Sequence, residues 1–297
     1  DMAIGGSTNA VVHLIAIAGR LGIPITLNDF DAVSRRTPWI ANVKPSGEFL
    51  MEDFFYAGGL PAVMKEILYL LDGDALTVTG KTIRENLERA QCHRREVIRT
   101  VVEPLNPEGG TVVLYGNLAP DGAVLKQTAA SPRLLQHRGR AYVFETYQEM
   151  RAQIDREDLP VDENTVLVMK GCGPKGAPGF PEWGHIPMPR VLLNRGVDDM
   201  VRISDARMSG TSFGTVALHV APESAVGGPL GAVRTGDEIE LDVAARRLEL
   251  RVSAEEIKQR LAQFQPAPPH YARGYGRLFL EHVTQANLGC DFDFLHK

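Results

Sequence analysis

Apolar residues recur at helical spacing near the start of the chain, where Ala10, Val11, Leu14, Ile15, Ile17, Ala18 and Leu21 follow two hydroxyl residues, Ser7 and Thr8, either able to cap a helix. Gly22 ends the run, and a helix apolar on most of its circumference is expected to be deeply buried. A short strand over 23–26 and a helix over 29–35 follow, then a loop over 37–49 punctuated by Pro38, Pro45 and Gly47. The pattern next predicts a short helix at 52–57, an amphipathic helix at 60–71 with Pro61 in its first turn, a strand at 77–79 and a helix at 82–90. The texture changes near 104–110, which places a domain boundary there. Beyond it, TVVLYGNL, GAVLKQTA and RAYVFET read as strands, each bounded by Gly, Pro or Asp. TVLVM at 165–169 is a continuous apolar run of the kind buried on both faces. Helices are predicted at 147–154 and 189–195, and strands at 229–232, 238–242 and 247–252. Ser253 caps a helix over 254–264 with Glu256 at the capping-box position, and helical spacing returns at 274–285.

Composition narrows the class. With 297 residues, 44% hydrophobic and 23% charged, the chain can bury one large core or two smaller ones, and two domains are expected. The net charge of −5 gives no electrostatic case for nucleic acid or an anionic membrane as partner, and no stretch is long and apolar enough to span a bilayer. Cys92, Cys172 and Cys290 are widely spaced and odd in number, which disfavours a disulfide framework or zinc site and suits a reducing, cytoplasmic setting.

Chemistry concentrates in VRISDARMSGTSFG at 201–214. Small, hydroxyl-bearing and flexible residues are crowded there between apolar segments, with 215–220 reading as a strand or the start of a helix. On composition alone a surface turn accounts for the segment equally well. GCGPKGAPGFPE at 171–182 is a loop rich in Gly and Pro whose one carboxylate is Glu182; read alone, this is an exposed loop glutamate. In GGSTN at 5–9, Gly5 and Gly6 precede Ser7, Thr8 and Asn9 at a helix start, which makes either a simple cap or an anion-binding turn. His13 reads as a core or near-core residue, and His185 beside Trp183 as a candidate for lining a pocket.

Taken together, GGSTNAVVHL at 5–14, GCGPKGAPGFPE at 171–182, ISDARMSGTSFGT at 203–215 and the closing GCDFDFL resemble the family of dihydroxy-acid, 6-phosphogluconate and sugar-acid (aldonate) dehydratases, most nearly its aldonate branch. The resemblance implies an α/β fold: residues 1–105 ending an α/β cluster-binding domain, 106–268 forming a β-rich, barrel-like swivelling β/α domain, and 269–297 a tail docked on the first domain or on another subunit. It implies magnesium held in part by Glu182 and a base at Ser209 that takes the C2 proton of the substrate. A cation lowers the pKa of a nearby oxygen acid, which would make a serine usable as base. Thr211 is expected to hydrogen-bond the substrate, Arg207 to offset its carboxylate or to pair with Asp205, and Ser7, Thr8 and Asn9 to line the anion site. An iron–sulfur cluster is also implied, with ligands in an upstream half that this chain, opening on Asp1, is expected to lack; alone it would then be an inactive module. The implied activity is dehydration of an aldonate to a 2-keto-3-deoxy acid by a homodimer or homotetramer, with a dihydroxy acid of branched-chain amino-acid biosynthesis as the alternative substrate.

Overall fold

The computed structural model describes residues 1–265 and 267–295. In chain order the helices are α1 (Asn9–Arg20), α2 (Leu27–Arg36), α3 (Met51–Tyr56), α4 (Gly59–Glu66), α5 (Ile83–Leu87), α6 (Tyr147–Gln153), α7 (Arg190–Leu193), α8 (Ala254–Ala262) and α9 (Gly274–His282). The strands are β1 (Thr111–Gly116), β2 (Ala119–Lys126), β3 (Gln136–Phe144), β4 (Val166–Met169), β5 (Arg202–Ser204), β6 (Val216–Ala221), β7 (Glu238–Asp242) and β8 (Arg247–Leu250). By contact the chain divides into two units, one of residues 1–6 and 31–111, the other of 7–30 and 112–297.

The smaller unit is helical. Ala3, Ile40, Ala41, Phe54, Val63, Val97 and Ile98 form its core. Single bridges, Trp39 to Asn106 and Ala41 to Ile98, replace a sheet. Thr82 and Glu85 cap α5 reciprocally: the Thr82 hydroxyl accepts from the Glu85 N–H and the Glu85 carboxylate accepts from the Thr82 N–H. Pro61 lies in the first turn of α4, as predicted, although the helix ends at Glu66 and continues only as a 3₁₀ turn at Leu68–Leu70. Residues 77–79 form a turn rather than a strand, because the Thr77 N–H bonds back to the Lys81 carbonyl.

The larger unit is a closed eight-stranded barrel in the order β1-β2-β6-β5-β4-β3-β7-β8, sealed by a parallel β1–β8 contact at Tyr115 and Arg247. The mixed α/β architecture with a barrel-like β-rich part agrees with the fold class read from the sequence. Alternation sorts β4 between two cores. Val166 and Val168 join the barrel interior with Val201, Ile203 and Leu248, whereas Leu167 and Met169 join a second cluster with Met150 of α6 and Leu192 of α7. This two-sided burial is why TVLVM carries no polar position. The segment 215–220 resolves as the wholly buried strand β6.

Three expectations are corrected here. Residues 23–26 are irregular, with Pro24 within them, and Pro229–Ala232 is a 3₁₀ turn led by its proline. The first helix is buried on one face only. Val11, Val12, Ile15 and Ala18 are covered, while Leu14, Ile17 and Leu21 are 45, 58 and 64% exposed within the described chain. The tail packs in this same unit, where Arg20 of α1 grips Asp291 through two hydrogen bonds of 2.6 Å.

Candidate active site

Adjacent parallel strands place the two glycine-rich motifs side by side. Met169 at the end of β4 is in register with Ser204 at the end of β5, so the loops leaving these strands, 170–189 and 205–215, start from the same end of the sheet. The first turn of α1 joins them. Asn9 Nδ2 donates to Glu182 Oε1 at 2.7 Å and to the Met208 carbonyl at 3.1 Å, so one amide group bridges both motifs. Ser7 lies against the second loop so closely that a Cβ at Gly210 would stand 2.8 Å from the Ser7 Cβ. The Ser7 hydroxyl accepts from the Asn9 N–H at 3.2 Å. Thr8 is the N-cap and is buried, but its side chain makes no capping bond.

Ser209 and Thr211 face one another with their hydroxyl oxygens 3.0 Å apart; Ser209 is half-buried and Thr211 exposed. Glu182 is exposed too. Arg207 points elsewhere. Its Nε donates to the Phe180 carbonyl, its guanidinium stacks 5.4 Å from the Phe180 ring centre, and Nη1 lies 3.4 Å from His13 Nε2. It borders a cavity of about 430 Å³ between α1, the 179–180 turn and the tail. It makes no pair with Asp205, which is fully buried and accepts from the Ser224 N–H and hydroxyl and from the Cys172 N–H. Burial pushes the Asp205 carboxyl up, against those hydrogen bonds. Glu223 is likewise pushed up by burial and by Asp205, and it holds the first loop by accepting from the Lys175 and Gly176 N–H groups. His13 and His185 are both exposed.

The second loop is tied down along its length. Lys126, at the end of β2, donates from Nζ to the Gly210 carbonyl at 3.2 Å, and the Gly214 N–H bonds the Ala129 carbonyl at 2.8 Å. Arg202, fully buried, donates to the Phe213 carbonyl at 3.4 Å and to Asp199 Oδ1 at 2.9 Å. Its Nη2 fills the space a side chain would need at Gly214, whose φ is +117°. Sequence reasoning missed Lys126, Asp199, Arg202 and Glu223. For Lys126 a signal existed, a lysine closing the apolar run GAVL; the others depend on partners far off in the chain.

The donor types here suit a hard cation. Asn9 Oδ1 is buried and has no hydrogen-bond partner among the described residues, and it belongs to the same side chain that touches the Glu182 carboxylate. Among the described residues no group of three or more His, Cys, Asp or Glu side chains is placed to hold a metal, so Glu182 and Asn9 fit magnesium only as part of a larger ligand set. An iron–sulfur cluster does not fit the residues present. Burial pushes the thiols of Cys172 and Cys290 well up, away from the thiolate form a cluster requires, and the Cys172 Sγ is directed at the Lys170 carbonyl, 3.3 Å away.

Comparison with known proteins adds to this geometry. The family model "Dihydroxy-acid/6-phosphogluconate dehydratase C-terminal" matches residues 96–290, and the corresponding N-terminal model matches residues 1–86. The chain is 54% identical over 297 residues to an L-arabinonate dehydratase of Rhizobium leguminosarum bv. trifolii, covering 99% of this chain and 51% of that protein. It is 50% identical over 297 residues to a 6-deoxy-6-sulfo-D-gluconate dehydratase of Pseudomonas putida, covering 99% of this chain and 51% of that protein. It is 41% identical over 293 residues to a dihydroxy-acid dehydratase of Saccharolobus solfataricus, covering 97% of this chain and 51% of that protein. The chain thus spans about half the length of the curated relatives it matches. With both family models matching in succession and the GGSTN, glycine-rich and serine motifs meeting in one place, the chain belongs to the dihydroxy-acid/6-phosphogluconate dehydratase family.

Proposed function

We propose that the protein carrying this chain is a hydro-lyase that removes water from a 2,3-dihydroxy sugar acid, giving a 2-keto-3-deoxy acid. The observation that carries the reading is the Asn9 amide, which holds Glu182 beside the loop of Ser209. In this reading Ser209 Oγ takes the C2 proton while Thr211, 3.0 Å away, hydrogen-bonds the same oxygen or the substrate. The C3–O bond then breaks, the hydroxyl leaves as water with the proton that Ser209 took, and the remaining enol tautomerises to the ketone. Ser7 and Asn9 lie against these groups, Thr8 is buried behind them, and Arg207 borders the neighbouring cavity instead. Magnesium, held in part by Glu182 and Asn9, would acidify the C2–H and offset the charge of the acid. The iron–sulfur cluster implied by the family would have its ligands outside this chain, and no role for it is assigned to the residues described.

The passage from the N-terminal family model at 1–86 to the C-terminal model at 96–290 supports a boundary near residue 105 between a first domain over 1–105 and a second over 106–268, and the Arg20–Asp291 bonds support reading 269–297 as a docking tail. Three free cysteines support a reducing, cytoplasmic setting. Among the described residues no helix is long and apolar enough to cross a membrane. A homodimer or homotetramer fits the apolar residues left exposed on α1.

An aldonate is favoured over a branched dihydroxy acid because identity is 54% to the arabinonate enzyme and 41% to the dihydroxy-acid enzyme. The test is a substrate panel containing L-arabinonate, D-gluconate and 2,3-dihydroxy-3-methylbutanoate, with the keto acid product read as its semicarbazone. Turnover of a sugar acid is expected. Turnover of the branched acid alone would replace this reading with the alternative. In the same assay Glu182→Gln is expected to raise the magnesium needed for half-maximal rate by at least about 10-fold, since the amide cannot supply a charged oxygen.

A further inference from the structure

Arg202 and Lys170, both buried in this unit, each have a carboxylate partner. Arg202 faces Asp199, and Lys170 Nζ lies 2.8 Å from Glu145 Oε1. Lys126 is 2% exposed. Among the described residues its ammonium has one acceptor, the Gly210 carbonyl at 3.2 Å, and no carboxylate within ion-pair distance. An ammonium carries three donors, and leaving a buried charge without a counter-charge costs far more than a hydrogen bond to one carbonyl returns. Burial brings the Lys126 ammonium down to about 8, so the group is still mostly charged at neutral pH. Its position is specific: the carbonyl it holds follows Ser209 directly, on the loop that Ser7 and Asn9 also touch.

We propose that Lys126 is the cation of an anion subsite and donates a hydrogen bond to a carboxylate oxygen of the substrate, holding the acid against the Ser209 loop. The inference rests on the sugar-acid reading given above and adds the residue that recognises the acid group. An uncharged alditol or amide of the same carbon chain lacks what Lys126 binds.

The test uses the protein carrying this chain with Ser209→Ala, so that binding is measured without turnover, and titrates L-arabinonate and L-arabinonamide by calorimetry. Adding Lys126→Gln, which keeps a donor for the Gly210 carbonyl and removes the charge, is expected to weaken arabinonate by about 10- to 100-fold, the range for a hydrogen bond to a charged group. Arabinonamide binding is expected to stay as it was, and Lys126→Arg is expected to restore most of the preference for the acid. Equal loss of both ligands, or unchanged arabinonate binding in Lys126→Gln, would show that the lysine only braces the loop and would overturn the inference. Should Lys126→Gln fail to fold, Lys126→Arg decides: binding of the acid and the amide with equal affinity overturns the inference, and retained preference upholds it. Full turnover by Ser209→Ala alone would sink the serine reading instead, so the two failures are distinct.

Discussion

Ser209→Ala is expected to lower kcat for a sugar acid by about 10²- to 10⁴-fold, the range a positioned general base contributes, while leaving KM within a small factor. The geometry makes this a clean experiment. Among the described residues the Ser209 hydroxyl hydrogen-bonds Thr211 alone, at 3.0 Å to its hydroxyl and 3.5 Å to its N–H, whereas the turn itself is kept by the Ser209 carbonyl accepting from the Ser212 N–H. Removing a half-buried hydroxyl with one side-chain partner leaves these backbone ties and those from Lys126, Asn9 and Arg202 in place. Stability should therefore change by less than about 1.5 kcal/mol, the size of one ordinary hydrogen bond. The measurement is steady-state kinetics beside a thermal melt. A variant with parental kcat, and a melt equally unchanged, would remove Ser209 from the chemistry and leave the loop as a binding element only.

Asp199→Ala is expected to be the most damaging substitution for the fold, at roughly 3–5 kcal/mol, because it strands a buried guanidinium. Arg202 is 1% exposed and Asp199 fully buried, and the carboxylate accepts from Arg202, from the Thr215 N–H and hydroxyl, and from the Ser131 and Met200 N–H groups. Burial works to raise the Asp199 carboxyl, yet the Thr215 hydrogen bonds, Arg202 and Ser131 outweigh it and hold the carboxyl below its usual value. A depressed carboxyl contributes stability that is complete above its unfolded value of about 4 and is lost as pH falls through the folded value. Denaturant melts of parent and variant at pH 7 and pH 3 check both statements. The difference between the two proteins should shrink at the lower pH. A loss below about 1 kcal/mol at pH 7 would mean that Arg202 finds another anion or water once Asp199 is gone.

The consequence reaches the site, since Arg202 also bonds the Phe213 carbonyl and occupies the space beside Gly214. An Asp199 variant that still folds should lose activity through a loosened Ser209 loop. The loop therefore depends on a buried carboxylate that bonds Arg202 and Thr215 rather than Ser209 or Thr211.

Much of the barrel was legible because its strands carry their own pattern. Alternation in EIELD and RLEL, and the unbroken TVLVM, reflect one-sided and two-sided burial that short windows reveal. Capping chemistry was also local, and the Ser253 hydroxyl accepts from the Glu256 N–H as its spacing predicts. Failures came where a neighbour outweighed propensity. A β-branched trio at 77–79 became a turn around Gly80, and α1, apolar nearly all round, left a stripe uncovered. Apolarity predicts that a face should be buried and says nothing of what covers it.

The sequence by itself singled out the candidates for chemistry, because Ser209, Thr211, Glu182 and the GGSTN turn stand in long ordered motifs whose types and order are contained in the chain. Only the tertiary structure decided which of them meet. The Asn9–Glu182 bond joins positions 173 residues apart and the Lys126–Gly210 bond positions 84 apart, and no local periodicity encodes either. Strand order and register set those meetings: β4 beside β5 brings the two loops to one end of the sheet, and the pairing of Leu125 with Ala217 carries Lys126 to the foot of the Ser209 loop. The burial of Lys126 arises the same way, from neighbours supplied by distant strands, so its charge acquires a meaning that its place in the sequence could not give it.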